Sequence, residues 1–385
     1  MRFFCIRSPE LITSHGDNMK ILSVVVSNSS LDENAMGWRV LNIARILDSI
    51  GHKVQIVQFV TNQRSYEFLI KNKKDDKILY IKTYIPKIFF DIIGQIKKNR
   101  YELVYGNTYS GTFFSLFAKA MNIPIIYDMH GGLVEEFLLD NHMSIENVPT
   151  FIIKNLIDSI NISISSRIMC VSKKMISNLN DRGIIKNKVY LPNGVDLQFF
   201  KPLSGETITT VKKDLGLDSK FIFGYIGNFQ KWQGVENFIA SAKTISDDKI
   251  LFLIVGAEQR SLDKNILFIP KLTRAELLQY YSICDVLVLP RPSHDATEIA
   301  APTKFAEYTA MGKPILSTSV GDAADLIKKY GCGIVVENNS IENLTNGISK
   351  FYELPKEQLQ AMSKNARSLA EHEFDWEKIG ASLLL

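Results

Sequence analysis

Cysteine is scarce in this 385-residue chain: Cys5, Cys170, Cys284 and Cys332 stand far apart, with no Cys-x-x-Cys pair. That spacing excludes a zinc ribbon, a dithiol redox couple and a disulfide-dense secreted scaffold, and a reducing cytoplasm is the expected compartment. Long apolar runs are missing too. The best, residues 113–127, is broken by Lys119, Asn122 and Pro124, short of the roughly 18 uninterrupted residues of a spanning helix. The N-terminal Met1-Arg2-Phe3-Phe4-Cys5-Ile6-Arg7 is too short an apolar run for a secretory signal. Several catalytic signatures are absent as well: no G-x-G-x-x-G after the first strand, no Walker A sequence, no G-x-S-x-G, no H-E-x-x-H and no Asp-x-Asp pair. Dehydrogenase, P-loop NTPase, serine-hydrolase and zinc-protease readings lose their basis.

What is present is an ordinary globular composition, 46% apolar and 22% charged, in a chain long enough for two domains that each bury a core. From Met19 onward, β-branched runs alternate with helical patterns, the signature of βαβ units and parallel sheets. Strands are expected at 21–26, 54–59, 103–105, 125–127, 168–171 and 189–191, with helices at 36–50, 112–121, 151–163 and 173–183 between them. A polar, turn-rich stretch over 192–217 precedes a second series: strands at 221–226, 250–255, 286–289, 315–317 and 334–336, helices at 235–245, 274–281 and 304–311. The expected fold is therefore α/β, with two Rossmann-like, doubly wound parallel-sheet domains. Residues 1–18 are expected to be a non-native or disordered extension, with Met19 as the true start. The domains are expected over 19–200 and 201–360, and a C-terminal helix over 361–385, carrying Trp376, across their junction.

Pro302-Thr303-Lys304-Phe305-Ala306-Glu307-Tyr308-Thr309-Ala310-Met311-Gly312-Lys313-Pro314 opens a helix after a strand of the second sheet. Free N–H groups and the positive dipole end of such a helix attract phosphate, Lys304 adds a full charge, and Glu307 one turn on can accept from sugar hydroxyls. On these grounds alone an ordinary capped helix with a Lys–Glu pair is an equal reading.

Pro302-x-Lys304-x-x-Glu307-Tyr308-x-Ala310-x-Gly312-x-Pro314, together with Leu191-Pro192-Asn193-Gly194-Val195-Asp196 and Phe199-Phe200-Lys201-Pro202, resembles glycosyltransferase family 4, the retaining GT-B class that uses nucleotide-diphosphate sugars. The resemblance runs from Met19 to Trp376. It implies a donor in an interdomain cleft, with Pro302, Lys304 and the Thr303–Phe305 backbone at the nucleotide and diphosphate, and Glu307 at the ribose. Family members carry two carboxylates separated by seven residues; here that count back from Glu307 reaches Ile299, and the nearest acid is Glu298, the expected substitute. The segment from Tyr225 to Gly234 resembles the family's phosphate loop, with Asn228 and Gln233 where Arg and Lys are usual, and Lys231 the expected cation.

In the first domain, Asp128-Met129-His130-Gly131-Gly132 ends a strand, where open α/β sheets place ligands. The resemblance puts His130 beside the transferred sugar, and Gly37 in a loop that admits diphosphate and acceptor. Ser172 fits a strand-end serine of structural role. Residues 51–120 hold 12 Lys+Arg against 5 Asp+Glu, and Ile88, Phe89, Ile92, Ile93 and Ile96 line a stripe beside Lys87, Lys97, Lys98 and Arg100. Such a helix either lies on an anionic membrane, where lipid-linked acceptors reside, or covers its own sheet. Nucleic acid is not an expected partner at a net charge of +4. The expectation is a metal-independent, cofactor-free hexosyltransferase acting on a nucleotide sugar and a glycan or lipid-linked acceptor, cytoplasmic and at most peripheral to the membrane. A GT-B sugar-nucleotide 2-epimerase and a non-catalytic GT-B subunit are the alternatives.

Overall fold

The computed structural model describes residues 18–141, 144–256, 263–381 and 383; the expected extension therefore lies, through residue 17, outside the described residues. Elements alternate as β1 (Lys20–Val26), α1 (Ala35–Ser49), β2 (Lys53–Val60), α2 (Gln63–Lys71), β3 (Ile78–Lys82), α3 (Ile85–Asn99), β4 (Leu103–Asn107), α4 (Thr108–Phe114), α5 (Leu116–Ala120), β5 (Ile125–Met129), α6 (Leu133–Asp140), α7 (Val148–Ile164), β6 (Arg167–Cys170), α8 (Lys173–Asp181) and β7 (Asn187–Tyr190). The series continues with α9 (Gly205–Asp214), β8 (Phe221–Ile226), α10 (Val235–Lys243), β9 (Ile250–Val255), β10 (Ile266–Ile269), α11 (Arg274–Ile283), β11 (Val286–Leu289), α12 (Asp295–Ile299), α13 (Thr303–Ala310), β12 (Ile315–Thr318), α14 (Gly321–Tyr330), β13 (Gly333–Val336), α15 (Ile341–Tyr352), α16 (Lys356–Leu369) and α17 (Trp376–Ala381).

The strands form a seven-stranded sheet, β3-β2-β1-β4-β5-β6-β7, and a six-stranded sheet, β10-β9-β8-β11-β12-β13. Strand order reverses beside β1 in one and beside β8 in the other, and β8 lies next to β11 through Val286↔Phe223 and Leu287↔Gly224. Such switch points open a crevice at the carboxyl ends of the strands. By residue contacts the chain divides into two compact units. One holds the described residues up to Asp128 with Ile160–Ile168 and the end from Ile379; the other holds Met129–Ser159 and Met169–Lys378.

In the first unit, Leu22, Val24, Val57, Phe59 and Val104 of the sheet pack against Ile88, Ile92 and Ile96 of α3. The apolar stripe noted in the sequence is thus spent on the sheet, while Phe90 at 70% exposure is left outside. In the second unit both faces of the six-stranded sheet are covered, as a parallel sheet requires. Ile222, Leu251, Leu253 and Leu287 meet Tyr281, Phe305 and Tyr308 on one side; Phe223, Phe252, Ile254 and Val288 meet Phe238 and Phe351 on the other.

Strands β3 and β10, at the outer edges of the two sheets, are additional to those expected, and two expectations change in detail. The helix at 112–121 is split at Ser115, whose hydroxyl donates to the Gly111 carbonyl at 2.7 Å, the i−4 back-bond that competes with a regular helix. The turn-rich stretch contains α9, started by Ser204, whose hydroxyl accepts from the Thr207 N–H. Among the described residues no helix is long and apolar enough to cross a membrane.

Candidate functional site

The carboxyl edge of the six-stranded sheet, where β8 and β11 are neighbours, gathers most of the expected donor residues. Helix α13 begins at Thr303 behind Pro302, whose side chain cannot cap it. Phe305 N–H turns back to the Pro302 carbonyl at 3.0 Å, and no side chain caps the N–H groups before it. Tyr308, fully buried, ties this helix to the end of β8: its hydroxyl accepts from Ile226 N–H and donates to Ile226 C=O, both at 3.1 Å. That is the structural reason for a tyrosine in the motif.

Lys304 reaches under the β8 loop. Its ammonium donates to the Tyr225 hydroxyl at 2.8 Å and to the Gln233 side-chain carbonyl at 3.0 Å, and lies 4.3 Å from the Tyr225 ring centroid. Burial, then repulsion from Arg291, lowers its pKa to about 7, against a pull from Glu307. Gly227, at φ +153°, stands directly over it, and a Cβ there would collide with the ammonium. Glu307 accepts from the Tyr281 hydroxyl at 2.7 Å. Burial raises its pKa, while the Tyr281 bond, Arg274 and Lys304 oppose the rise.

The remaining candidates are placed as follows. Asn228 and Lys231 are exposed on the β8 loop, Asn228 accepting through its carbonyl from the Tyr225 hydroxyl. Glu298, on α12, accepts from Ser293 hydroxyl at 2.8 Å and from Gly321 N–H at 2.9 Å, so its carboxylate caps the start of α14. Ile299, at the position the spacing points to, is buried. His130 follows β5 directly and is partly buried. A Cβ on Gly132 would strike Glu135 and Ile299, which lays the His130-Gly131-Gly132 segment against α12. Ser172 hydroxyl donates to the Ile299 carbonyl and accepts from Met175 N–H at 2.9 Å. It caps α8 and ties it to α12, a structural task. Gly37, in the other unit, is the third residue of α1, where any side chain would collide with the Leu31 backbone.

Sequence reading missed Tyr225 and Gln233 as partners of Lys304, Tyr281 as partner of Glu307, and Arg291. Only Arg291 left a usable signal, a cation one residue past a strand-end proline.

Comparison with known proteins bears on the family and the fold. The family description Glycosyltransferase Family 4 matches residues 36–199, and Glycosyl transferases group 1 matches 207–369. A glycosyl transferase assigned to colanic acid biosynthesis in Escherichia coli (strain K12) is 28% identical over 227 residues, 54% of each chain. The alpha-galactosylglucosyldiacylglycerol synthase of Streptococcus pneumoniae is 27% identical over 140 residues, 32% of this chain and 37% of its own. The chain thus spans about half or less of the length of these curated relatives. In fold it is similar to the sucrose-phosphate synthase of Thermosynechococcus elongatus, at TM-score 0.75 and 17% identity over 95% of this chain and 97% of that one. HepE of Anabaena, solved in complex with UDP, gives TM-score 0.75 and 18% identity over 95% and 98%. The chain belongs to glycosyltransferase family 4 and has the GT-B fold.

Proposed function

We propose that this chain transfers a hexosyl unit from a nucleotide-diphosphate sugar to a glycan or lipid-linked acceptor, with retention at the anomeric carbon and without a metal ion. The observation that carries the reading is the placement of Lys304 and Glu307 one turn apart at the start of α13, each held by a partner from another element, on the carboxyl edge of a parallel sheet. The helix N-terminus and Lys304 offset the charge that grows on the departing diphosphate. Glu307 accepts from the ribose hydroxyls, with Thr303, Phe305, Asn228 and Lys231 around the nucleotide and Glu298 near the sugar. His130 contacts the transferred sugar, and no side chain acts as a nucleophile. The names of the Escherichia coli and Streptococcus pneumoniae relatives support a polysaccharide or glycolipid product.

Lys304→Met is expected to weaken nucleoside diphosphate binding about tenfold to a hundredfold, the scale of one charged contact to phosphate. It also carries a pH signature. Lys304 in the folded chain gives up its proton near pH 7 rather than at 10.5, so wild type loses stability as pH falls from about 10 toward 7, where the unfolded chain holds the extra proton. The melting temperature of Lys304→Met relative to wild type should therefore rise as pH is lowered from 10 to 6. Unchanged affinity in a folded variant would reduce the motif to a helix start. Turnover is expected to persist in EDTA; its loss, with rescue by magnesium or manganese, contradicts the metal-free reading.

A further inference from the structure

Arg291 leaves β11 through Pro290 and is held by its backbone, its carbonyl accepting from the Thr318 hydroxyl at 2.6 Å. Its guanidinium is poorly held by comparison. The side chain is 8% exposed, Nη1 donates one long bond of 3.4 Å to the Thr297 carbonyl, and buried Nε has no partner among the described residues. A buried donor without an acceptor is costly, and such a group calls for an explanation.

The neighbours supply one. Arg291 is within electrostatic reach of Tyr225, Glu298 and Lys304. Burial lowers its pKa to about 10 against the pull of Tyr225 and Glu298. Glu298 already serves Ser293 and Gly321, and Lys304 is bonded to two neutral groups, Tyr225 and Gln233. Two cations thus share a site beside the uncapped start of α13, under a loop that offers Asn228, Gln233 and the exposed Lys231. A diphosphate diester carries two negative charges, and the planar guanidinium fork suits two phosphoryl oxygens at once.

We propose that Arg291 and Lys304 together clamp the diphosphate of the donor, Arg291 adding a buried cation from the end of β11 to the one on α13. This rests on the nucleotide-sugar reading above.

The test uses the full chain and titrates UDP, GDP, ADP, their nucleosides and inorganic pyrophosphate by calorimetry. Arg291→Gln should weaken the diphosphates that bind wild type, and pyrophosphate, by one to two orders of magnitude, with nucleoside affinity and melting temperature little changed. Arg291→Lys should recover part of the loss. At pH 8 in buffers of different ionisation heat, wild type should take up protons on binding a nucleoside diphosphate, because the anion restores the charge on Lys304. Arg291→Gln removes repulsion, leaves Lys304 more fully charged beforehand, and should reduce that uptake. Wild-type affinity in Arg291→Gln, with Lys304→Met impaired, overturns the role of Arg291 and leaves the site standing. Equal loss for nucleosides and diphosphates with a lowered melting temperature assigns Arg291 to structure and overturns the proposal. Failure of wild type to bind any diphosphate removes the underlying reading itself.

Discussion

His130→Ala is expected to lower kcat by about a hundredfold or more while nucleoside diphosphate affinity changes little, the scale of losing one positioned polar group in a transition state. The residue stands one position past β5, and Gly132, two residues on, lets the chain lie against Ile299 of α12. Under the proposed function His130 contacts the transferred sugar rather than the nucleotide, which is why the effect should fall on turnover. A structural histidine behaves in the opposite way. Its removal would cost about 1–3 kcal/mol and lower the melting temperature, with normal turnover per folded molecule. Measuring kcat and melting temperature on one variant separates the two.

Asp128→Ala should destabilise the fold by about 3–5 kcal/mol, because it takes the carboxylate from a buried guanidinium. Arg39 meets Asp128 fork to fork, Nε to Oδ2 at 2.9 Å and Nη2 to Oδ1 at 2.7 Å, with side chains 1% and 0% exposed. The pair joins α1, the helix that carries Gly37, to the end of β5, two residues before His130. Against a total stability of about 5–15 kcal/mol, the single change should be close to unfolding at 37 °C. The double change Arg39→Met with Asp128→Leu removes both charges and should recover most of the loss. Denaturant unfolding checks this; a double variant as unstable as the single one would show that packing, not the unpaired charge, sets the cost.

Most of the strand series was legible because buried parallel strands read as continuous apolar runs, but β3 and β10, the outer strands of the two sheets, were not among those expected. Residues 221–226, 250–255 and 286–289 coincide with β8, β9 and β11. Helix α9 hid in a polar stretch because none of its residues is buried, so it lacks the apolar period that reveals a helix. The stripe of α3 was visible, but nothing in its period distinguishes a lipid surface from the strands of its own sheet. At the site, Lys304 and Glu307 were found because they share one short helix. Tyr225, Tyr281 and Arg291 sit on other elements and meet them only through the fold, 79, 26 and 13 residues away in sequence. The two carboxylates illustrate the limit of spacing arguments. Glu298, one residue out of the expected register, has its carboxylate turned to the start of α14.

On the proposed function, the edge of the second sheet around α13 binds a nucleoside diphosphate without metal. Calorimetric titration of the full chain with UDP, GDP and ADP in EDTA, repeated with Glu307→Ala, tests it most directly. The account predicts that at least one diphosphate binds wild type and raises its melting temperature by linkage. It predicts that Glu307→Ala, having lost the ribose contact, binds that nucleotide more weakly, while inorganic pyrophosphate binds both alike. Absence of binding by all three nucleotides, or binding that Glu307→Ala leaves unchanged, would contradict it.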